Sequence, residues 1–290
     1  MRKKIANITL ATLMGLSCLM SVGCAKNEII EDGLFKYTYV KKKDCYAIVG
    51  STEELPKVVA PPAYFKGKEV RYLWYGYKEK DYMFSWNYLG LSWKGVEKFY
   101  FPYSCGLGYR EDYETQGGGD GTVASILFFT KQNEQFLFRL IEWGKPGEKT
   151  VYFSADAYEK QLDYAQNYYS HSAEVGTVKW EVNENYAVFQ YYKNDLCFQI
   201  EKANTSYLFN YEDAPNDGYF FINEFEYSEK IEDTPYEPIR EGYTFGGWYK
   251  EAACTNEWNF DEDRLPQAEY DGEGNLQFVE TKLYAKWIKK

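Results

Sequence analysis

Apart from carboxylates, few side chains here could do covalent or acid–base chemistry: one histidine and six cysteines, against 44 Asp and Glu. His171, in Tyr168-Tyr169-Ser170-His171-Ser172, is the single candidate for the general base of a Ser-His-Asp arrangement. No Gly-x-Ser-x-Gly turn accompanies it. Cys45, Cys105, Cys197 and Cys254 stand singly with no CxxC pair, so their spacing builds neither a zinc nor a redox motif. Four cysteines in an exported chain allow three pairings, or remain free thiols. A two-carboxylate glycosidase is compatible with the composition, but no spacing singles out a pair. Asp261-Glu262-Asp263 and Asp271-Gly272-Glu273 offer oxygen ligands yet fit no EF-hand loop, and read as surface turns. Gly117-Gly118-Gly119-Asp120-Gly121 lacks the Gly-Lys-Ser/Thr ending of a phosphate loop and reads as a loop tip. These residues lead to the expectation of a protein that is not an enzyme, with no catalytic residues, metal or cofactor.

Cys24 has a different setting. Three positive charges, within Met1-Arg2-Lys3-Lys4, precede an apolar stretch from Ile5 to about Val22, which is the layout of a secretory signal peptide. A transmembrane helix is the competing reading, though Asn7, Thr9, Thr12, Ser17 and Ser21 dilute the run of about 20 strongly apolar residues that it needs. It ends at Ser21-Val22-Gly23-Cys24-Ala25-Lys26, small residues before a cysteine and polar chain after it. This resembles the lipobox of bacterial lipoproteins, and the resemblance implies cleavage before Cys24, lipidation of its thiol and tethering to a membrane by acyl chains. Ser21 departs from the usual Leu, and Cys18 after Leu16-Ser17 is a second, poorer candidate. An ordinary signal peptide with an incidental cysteine is the alternative.

Removing residues 1–23 leaves 30 Lys and Arg against 44 Asp and Glu, net −14. Such a surface as a whole repels phosphate backbones and anionic headgroups, so no nucleic-acid partner is expected. The charge is uneven. Residues 204–290 carry 19 acids and 8 bases, net −11, whereas residues 24–203 carry 25 acids and 22 bases, net −3. Cationic partners are favoured by the terminal part.

Positioning falls to a mainly β chain in which Tyr, Phe and Trp make up 20% of residues, types that suit half-buried pleated surfaces. Residues 24–32 read as a tether. Leu34 to Val40 and Cys45 to Val49, joined by Lys41-Lys42-Lys43-Asp44, read as a β-hairpin. Short strands are expected at Lys57 to Ala60, Val70 to Trp74, Lys98 to Phe101, Ala124 to Phe129, Gln135 to Ile141 and Thr150 to Val151-Tyr152-Phe153. One helix, Ala155 to about Tyr169, opens with Ser154 as N-cap and carries Ala157, Leu162, Ala165 and Tyr169 on one face. A β meander follows at Thr177 to Val182, Ala187 to Tyr192 and Leu196 to Ile200.

Val58-Val59-Ala60-Pro61, Phe99-Tyr100-Phe101-Pro102 and Val151-Tyr152-Phe153-Ser154 echo one another as short strands closed by a stopping residue. With their surroundings they resemble BspA-like leucine-rich repeat proteins, which implies a degenerate solenoid-like β domain over residues 33–203. The echoes lie about 40 to 50 residues apart rather than the usual 20 to 29. An unrelated β sandwich is the alternative.

From Thr205 onward the chain has Tyr207-Leu208-Phe209-Asn210-Tyr211, Arg240-Glu241-Gly242-Tyr243-Thr244-Phe245-Gly246-Gly247-Trp248-Tyr249, Trp258-Asn259-Phe260 and Thr281-Lys282-Leu283-Tyr284-Ala285-Lys286-Trp287. These segments resemble the Listeria-Bacteroides repeat, the internalin-type B repeat. The resemblance implies a small β-grasp-like module over residues 204–290 and a surface role. Leu283, Ala285 and Trp287 form the expected inward face of the last strand. Asp271-Gly272-Glu273-Gly274-Asn275 is an acidic insertion against the family pattern.

The resemblances together imply an exported, lipid-anchored cell-surface binding or adhesion protein. Its partner would be a host or cell-envelope protein or glycan, and membrane contact would run through the N-terminal lipid. A glycan-binding module and an exported hydrolase are the alternatives. No binding residues are assigned: Trp248, Tyr249, Trp258 and Trp287 are the first positions to inspect, each read as core before contact.

Overall fold

The computed structural model describes residues 28–73, 95–102, 106–107, 126–129, 147–160, 162–163, 178–182, 186–191 and 196–290. Cys24, Cys105, His171, Gly117 to Gly121, the Gln135 to Ile141 strand and the later part of the helix lie outside them. The fold is mainly β, as the composition leads one to expect, with one short α-helix among the described residues.

The chain begins with β1 (Ile29–Asp32), β2 (Phe35–Val40) and β3 (Cys45–Ser51), an antiparallel meander whose second turn is a 3-10 turn over Lys41–Lys43. Asp44 closes that turn in the left-handed region, at φ 49. The tether therefore gives up residues 29–32. Ile29 and Ile30 supply the β-branched pair that lets β1 line up beside β2, a signal hidden by the acids around it.

Strands then alternate between two sheets. β3, β6 (Lys68–Leu73) and β8 (Gly106–Leu107) are parallel neighbours in the first sheet. β4 (Val58–Val59), β7 (Lys98–Phe101), β9 (Ile126–Phe129) and β10 (Gly147–Phe153) are parallel neighbours in the second. From β3 to β9, β5 aside, successive strands thus fall by turns in the first and second sheets. β5 (Tyr64–Phe65) folds back on β6 through Lys66-Gly67, both at positive φ (48° and 76°), the two-residue turn whose twist suits a hairpin.

In the second sheet Val58, Lys98, Ile126 and Thr150 stand in register, at intervals of 40, 28 and 24 residues. Of the two wide intervals read from the sequence, that between β4 and β7 stays at 40 residues, whereas that from Phe99 to Val151 came from passing over β9. Its Leu127-Phe128-Phe129 is followed by Thr130 rather than by a stopping residue, so it does not look like its neighbours. Phe99 and Val151 share one row as the echoes suggest, while Val58-Val59 is displaced by one residue, Val59 rather than Val58 lying beside Phe99.

Phe99, Val151 and Ile200 are buried on one face and Tyr100 and Phe128 on the other. A parallel sheet covered on both faces gains roughly 1.5–3 kcal/mol for each large apolar side chain so enclosed. After β10 comes the helix α1, residues 155–160 and 162–163. Ser154 sits at its start and its carbonyl accepts from Ala157 and Tyr158 N–H at 3.0 and 2.9 Å. Its hydroxyl is buried without a partner instead of capping the helix. Ala157 and Tyr158 are the buried residues of the first turns. β11 (Val178–Val182), β12 (Tyr186–Tyr191) and β13 (Leu196–Lys202) form the expected meander, with β13 lying parallel to β10 and extending the ladder.

The last sheet contains β14 (Thr205–Leu208), β15 (Tyr219–Asn223), β16 (Tyr243–Tyr249) and β19 (Thr281–Lys289), in the order β15-β14-β19-β16. Its central pair, β14 and β19, is parallel and both outer pairs are antiparallel, the mixed order of β-grasp folds. A small hairpin, β17 (Glu269–Tyr270) with β18 (Leu276–Gln277), stands beside it.

Candidate binding surface on the terminal sheet

The Gly-Tyr-x-Phe-x-Gly-Trp-Tyr segment poses a parity problem. Phe245 and Trp248 are three residues apart, and a regular strand would point them to opposite faces. β16 solves this with a bulge. Phe245 lies opposite Trp287 and Trp248 opposite Ala285, so three residues on β16 span two on β19. Gly247 takes φ +101 to make the bulge, and a Cβ there would meet Glu257 Oε1 at 3.0 Å. Phe245 and Trp248 then pack edge to face, with ring centroids 5.2 Å apart.

The aromatics named from the sequence are spent on this core. Trp248, Tyr249 and Trp258 are buried. Trp287 is half-buried and its indole N–H donates to the Phe209 carbonyl at 2.6 Å. Leu283 and Ala285 face inward with Trp287, as the alternation of β19 requires. Arg240 adds its guanidinium 3.9 Å from the Tyr243 ring and 4.1 Å from the Tyr211 ring, closing that edge of the core.

What remains outside is acidic. Glu212, Asp213, Glu237, Glu241, Glu262, Glu269 and Glu273 are all exposed. Other carboxylates build the loops that carry them. Glu251 Oε1 accepts from the Thr255 and Asn256 N–H groups, both at 2.8 Å, and from the Thr255 hydroxyl. These donors pull its carboxyl down to about 2. Asp271 accepts from Glu273 N–H at 2.9 Å, from Asn275 N–H at 2.8 Å and from the Asn275 side chain at 2.9 Å. Asn275 and the loop amides hold its carboxyl below the usual range. Asp263 takes Asn259 N–H and the Lys250 ammonium. The two acidic runs weighed as oxygen ligands are turn formers, and among the described residues no three His, Cys, Asp or Glu side chains converge on a cation position.

Asp271 braces the β17–β18 hairpin, which presents Tyr270 and Leu276 as an exposed cross-strand pair between acids. The sequence marked this insertion as a departure, but nothing in its residue types announced a presented apolar pair.

Residues 207–271 match the family model of the Listeria-Bacteroides repeat domain. This is a surface-associated, non-catalytic repeat family, typical of surface or exported proteins. No curated protein matches the chain. The matched segment stops short of β19, yet β19 is the strand that joins β14 to β16, so the repeat in this chain closes only at Lys289.

The repeat is fused to the ladder. Only Ala203 and Asn204 separate β13 from β14, and both are buried. Asn204 accepts from Phe225 N–H at 3.2 Å, donates its side-chain amide to Phe225 O at 2.6 Å and donates its backbone N–H to Glu224 at 2.9 Å. Across the seam Tyr152, Phe128 and Tyr100, one from each successive rung, stack at 4.9 and 4.4 Å, and Phe221 of β15 continues the stack at 4.8 Å. The Tyr100 hydroxyl donates to Asn223 at 2.8 Å, and Tyr219 donates to Asp156 of α1 at 2.8 Å.

Two carboxylates sit at this seam. Burial pushes Glu201 up, and it pushes Glu224 up to about 7 with the nearby Glu201 charge adding to it. Glu224 is held by Asn204 N–H, and Glu201 by Gln199 and Tyr152. Glu224 is thereby tied to the linker between the two bodies, whereas both partners of Glu201 lie in the ladder.

Proposed function

We propose that the chain is an exported, lipid-anchored surface binding protein in which the solenoid-like body is a scaffold and the acidic outer face of the repeat recognises the partner. The observation that carries this reading is the repeat match at residues 207–271 on a part of the chain with net charge −11. A field of that sign steers cationic surfaces of a host or cell-envelope protein toward it. Cys24 is the lipidated residue and residues 1–23 are the cleaved signal in this reading. Among the described residues no helix is long and apolar enough to cross a membrane. The rung intervals of 28 and 24 residues support kinship with leucine-rich repeats.

A protein partner is favoured over a glycan. Sugar sites need exposed aromatic platforms, and the repeat's tryptophans are in its core while Tyr270 stands alone as an exposed ring among the described residues. Catalysis is not part of the reading, in keeping with the non-catalytic repeat family that residues 207–271 match.

The test uses intact cells expressing the full chain, with surface labelling and mass analysis of the N-terminal peptide. The expected result is surface-accessible protein whose N-terminus is acylated Cys24, and release of a Cys24→Ala variant from the membrane. An uncleaved N-terminus, or protein that surface reagents never reach, contradicts the reading.

A further inference from the structure

We propose that one end of the first sheet is a membrane-facing surface that takes anionic phospholipid headgroups and seats the folded body on the bilayer. This rests on the anchoring reading above.

Chain geometry supplies the first step. Ile29 opens β1, five residues after Cys24, so the first strand starts no more than about 18 Å from the acylated position. Ile29 lies opposite Thr38 of β2, and the Thr38 hydroxyl donates to Glu28 O at 3.2 Å. The chain therefore reaches the sheet at the end where β2 runs into its turn.

That turn is Lys41–Lys43, all three exposed. β3 and β6 are parallel and both start at this end, which brings the exposed Lys66 of the β5–β6 turn alongside. Asp44 is the acid that could cancel this charge, but it is bound to Lys68 Nζ at 2.6 Å and accepts from the Tyr39 hydroxyl. Among the described residues Lys41, Lys42, Lys43 and Lys66 form no ion pair. Glu28 is the opposing carboxylate on the incoming chain.

Four such cations, held within reach of the anchor on a body whose net charge is −14 without its leader, match one surface by charge: the anionic headgroups of the membrane that holds the acyl chains. Half-exposed Tyr39 beside them suits the headgroup layer. The same membrane repels the repeat, so this seating turns the acidic face outward.

The test takes the full mature protein extracted with its N-terminus intact and reconstituted into vesicles of phosphatidylcholine, alone or mixed with phosphatidylglycerol. Amine-reactive labelling is then followed lysine by lysine. In the anionic vesicles Lys41, Lys42, Lys43 and Lys66 are expected to label about tenfold more slowly, while Lys289 and Lys290 keep the same rate. High salt restores the rates. The mass of the N-terminal peptide in the same digest reports acylation independently. If Cys24 is unmodified, an N-terminal histidine tag on a nickel-chelating lipid replaces the anchor and the lysine rates still decide. Equal rates in both vesicles, or equal slowing at Lys289 and Lys290, overturn the proposal. So does protection that persists in detergent, which would mean a protein partner on this end.

Discussion

The ladder and the terminal repeat spend the same aromatic side chains in different ways. In the ladder, Tyr100, Phe128 and Tyr152 come from equivalent positions on successive parallel strands and lie nearly flat on one another, with ring planes 9° and 13° apart. Parallel strands in register repeat at just under 5 Å, close to the ring spacing of 4.4 to 4.9 Å, so a face-to-face stack costs no distortion. In the repeat, Tyr207, Phe209, Phe220, Phe245 and Trp248 come from inequivalent positions and meet mostly edge to face, as at Tyr207–Trp248 (74°) and Phe209–Phe220 (67°). A stack can be extended by any further ring at its open end, whereas an edge-to-face core closes on itself. Phe221 is the ring that extends the stack, and it belongs to the repeat. The two bodies are thus joined by the ladder's own periodicity.

Breaking that joint gives the largest expected effect. Phe221→Ala removes the last ring of the stack and is expected to cost about 4 kcal/mol in chemical denaturation, with tryptophan signals of the repeat lost at lower denaturant. Tyr100→Phe, which keeps the ring and removes only the bond to Asn223, should cost much less; equal losses would show that the stack is not what joins the bodies.

Next comes the bulge. Gly247→Ala places a Cβ at φ +101 against Glu257 and is expected to cost about 2 kcal/mol, confined to the repeat. Gly242→Ala is the comparison, also at positive φ but with open space around it.

The pH dependence is smaller. Glu224 is raised in the folded protein, so the native state holds its proton more tightly than the unfolded chain. Stability is then full below the ordinary carboxyl range and falls as pH rises from about 4.5 to about 7, by roughly 1–2 kcal/mol after allowing for residual solvent access. Glu224→Gln should flatten that fall, leaving the part due to Glu201. A fall that is unchanged in the variant would remove Glu224 from the joint. Smallest is Trp287→Phe, which loses the bond to Phe209 O for about 1 kcal/mol.

How much of this was legible follows from where each signal lives. The Phe35–Ser51 hairpin, the meander and the inward face of β19 were readable because alternation and turn residues are local. The repeat was readable through its family resemblance, carried by glycines between fixed aromatics, and the bulge that Gly247 makes at φ +101 is the physical use of one of them. The third rung at β9 was not, since register is a property of neighbours distant in sequence. Nor was the joint: Tyr100, Phe128 and Phe221 look like any core aromatics until the rungs are stacked. Residues 33–203 and 204–290 read from the sequence as two domains; in the fold the link Ala203-Asn204 is buried and Phe221 covers Tyr100, so cutting there would strip that cover. Trp248, Tyr249 and Trp258 were sensible first positions by residue type, and burial assigns them to the core.

The most direct measurement of the functional claim therefore keeps the whole chain and changes only its surface. Mature protein and a variant with Glu237, Glu241, Glu269 and Glu273 each changed to Lys would be compared for capture of epithelial surface proteins, mucins and envelope polysaccharides, across a salt series. The account predicts a saturable, salt-sensitive protein partner for the mature chain that the variant loses while its unfolding curve stays unchanged. Equal capture by both proteins, or no saturable partner for either, would contradict recognition by the acidic face of the repeat.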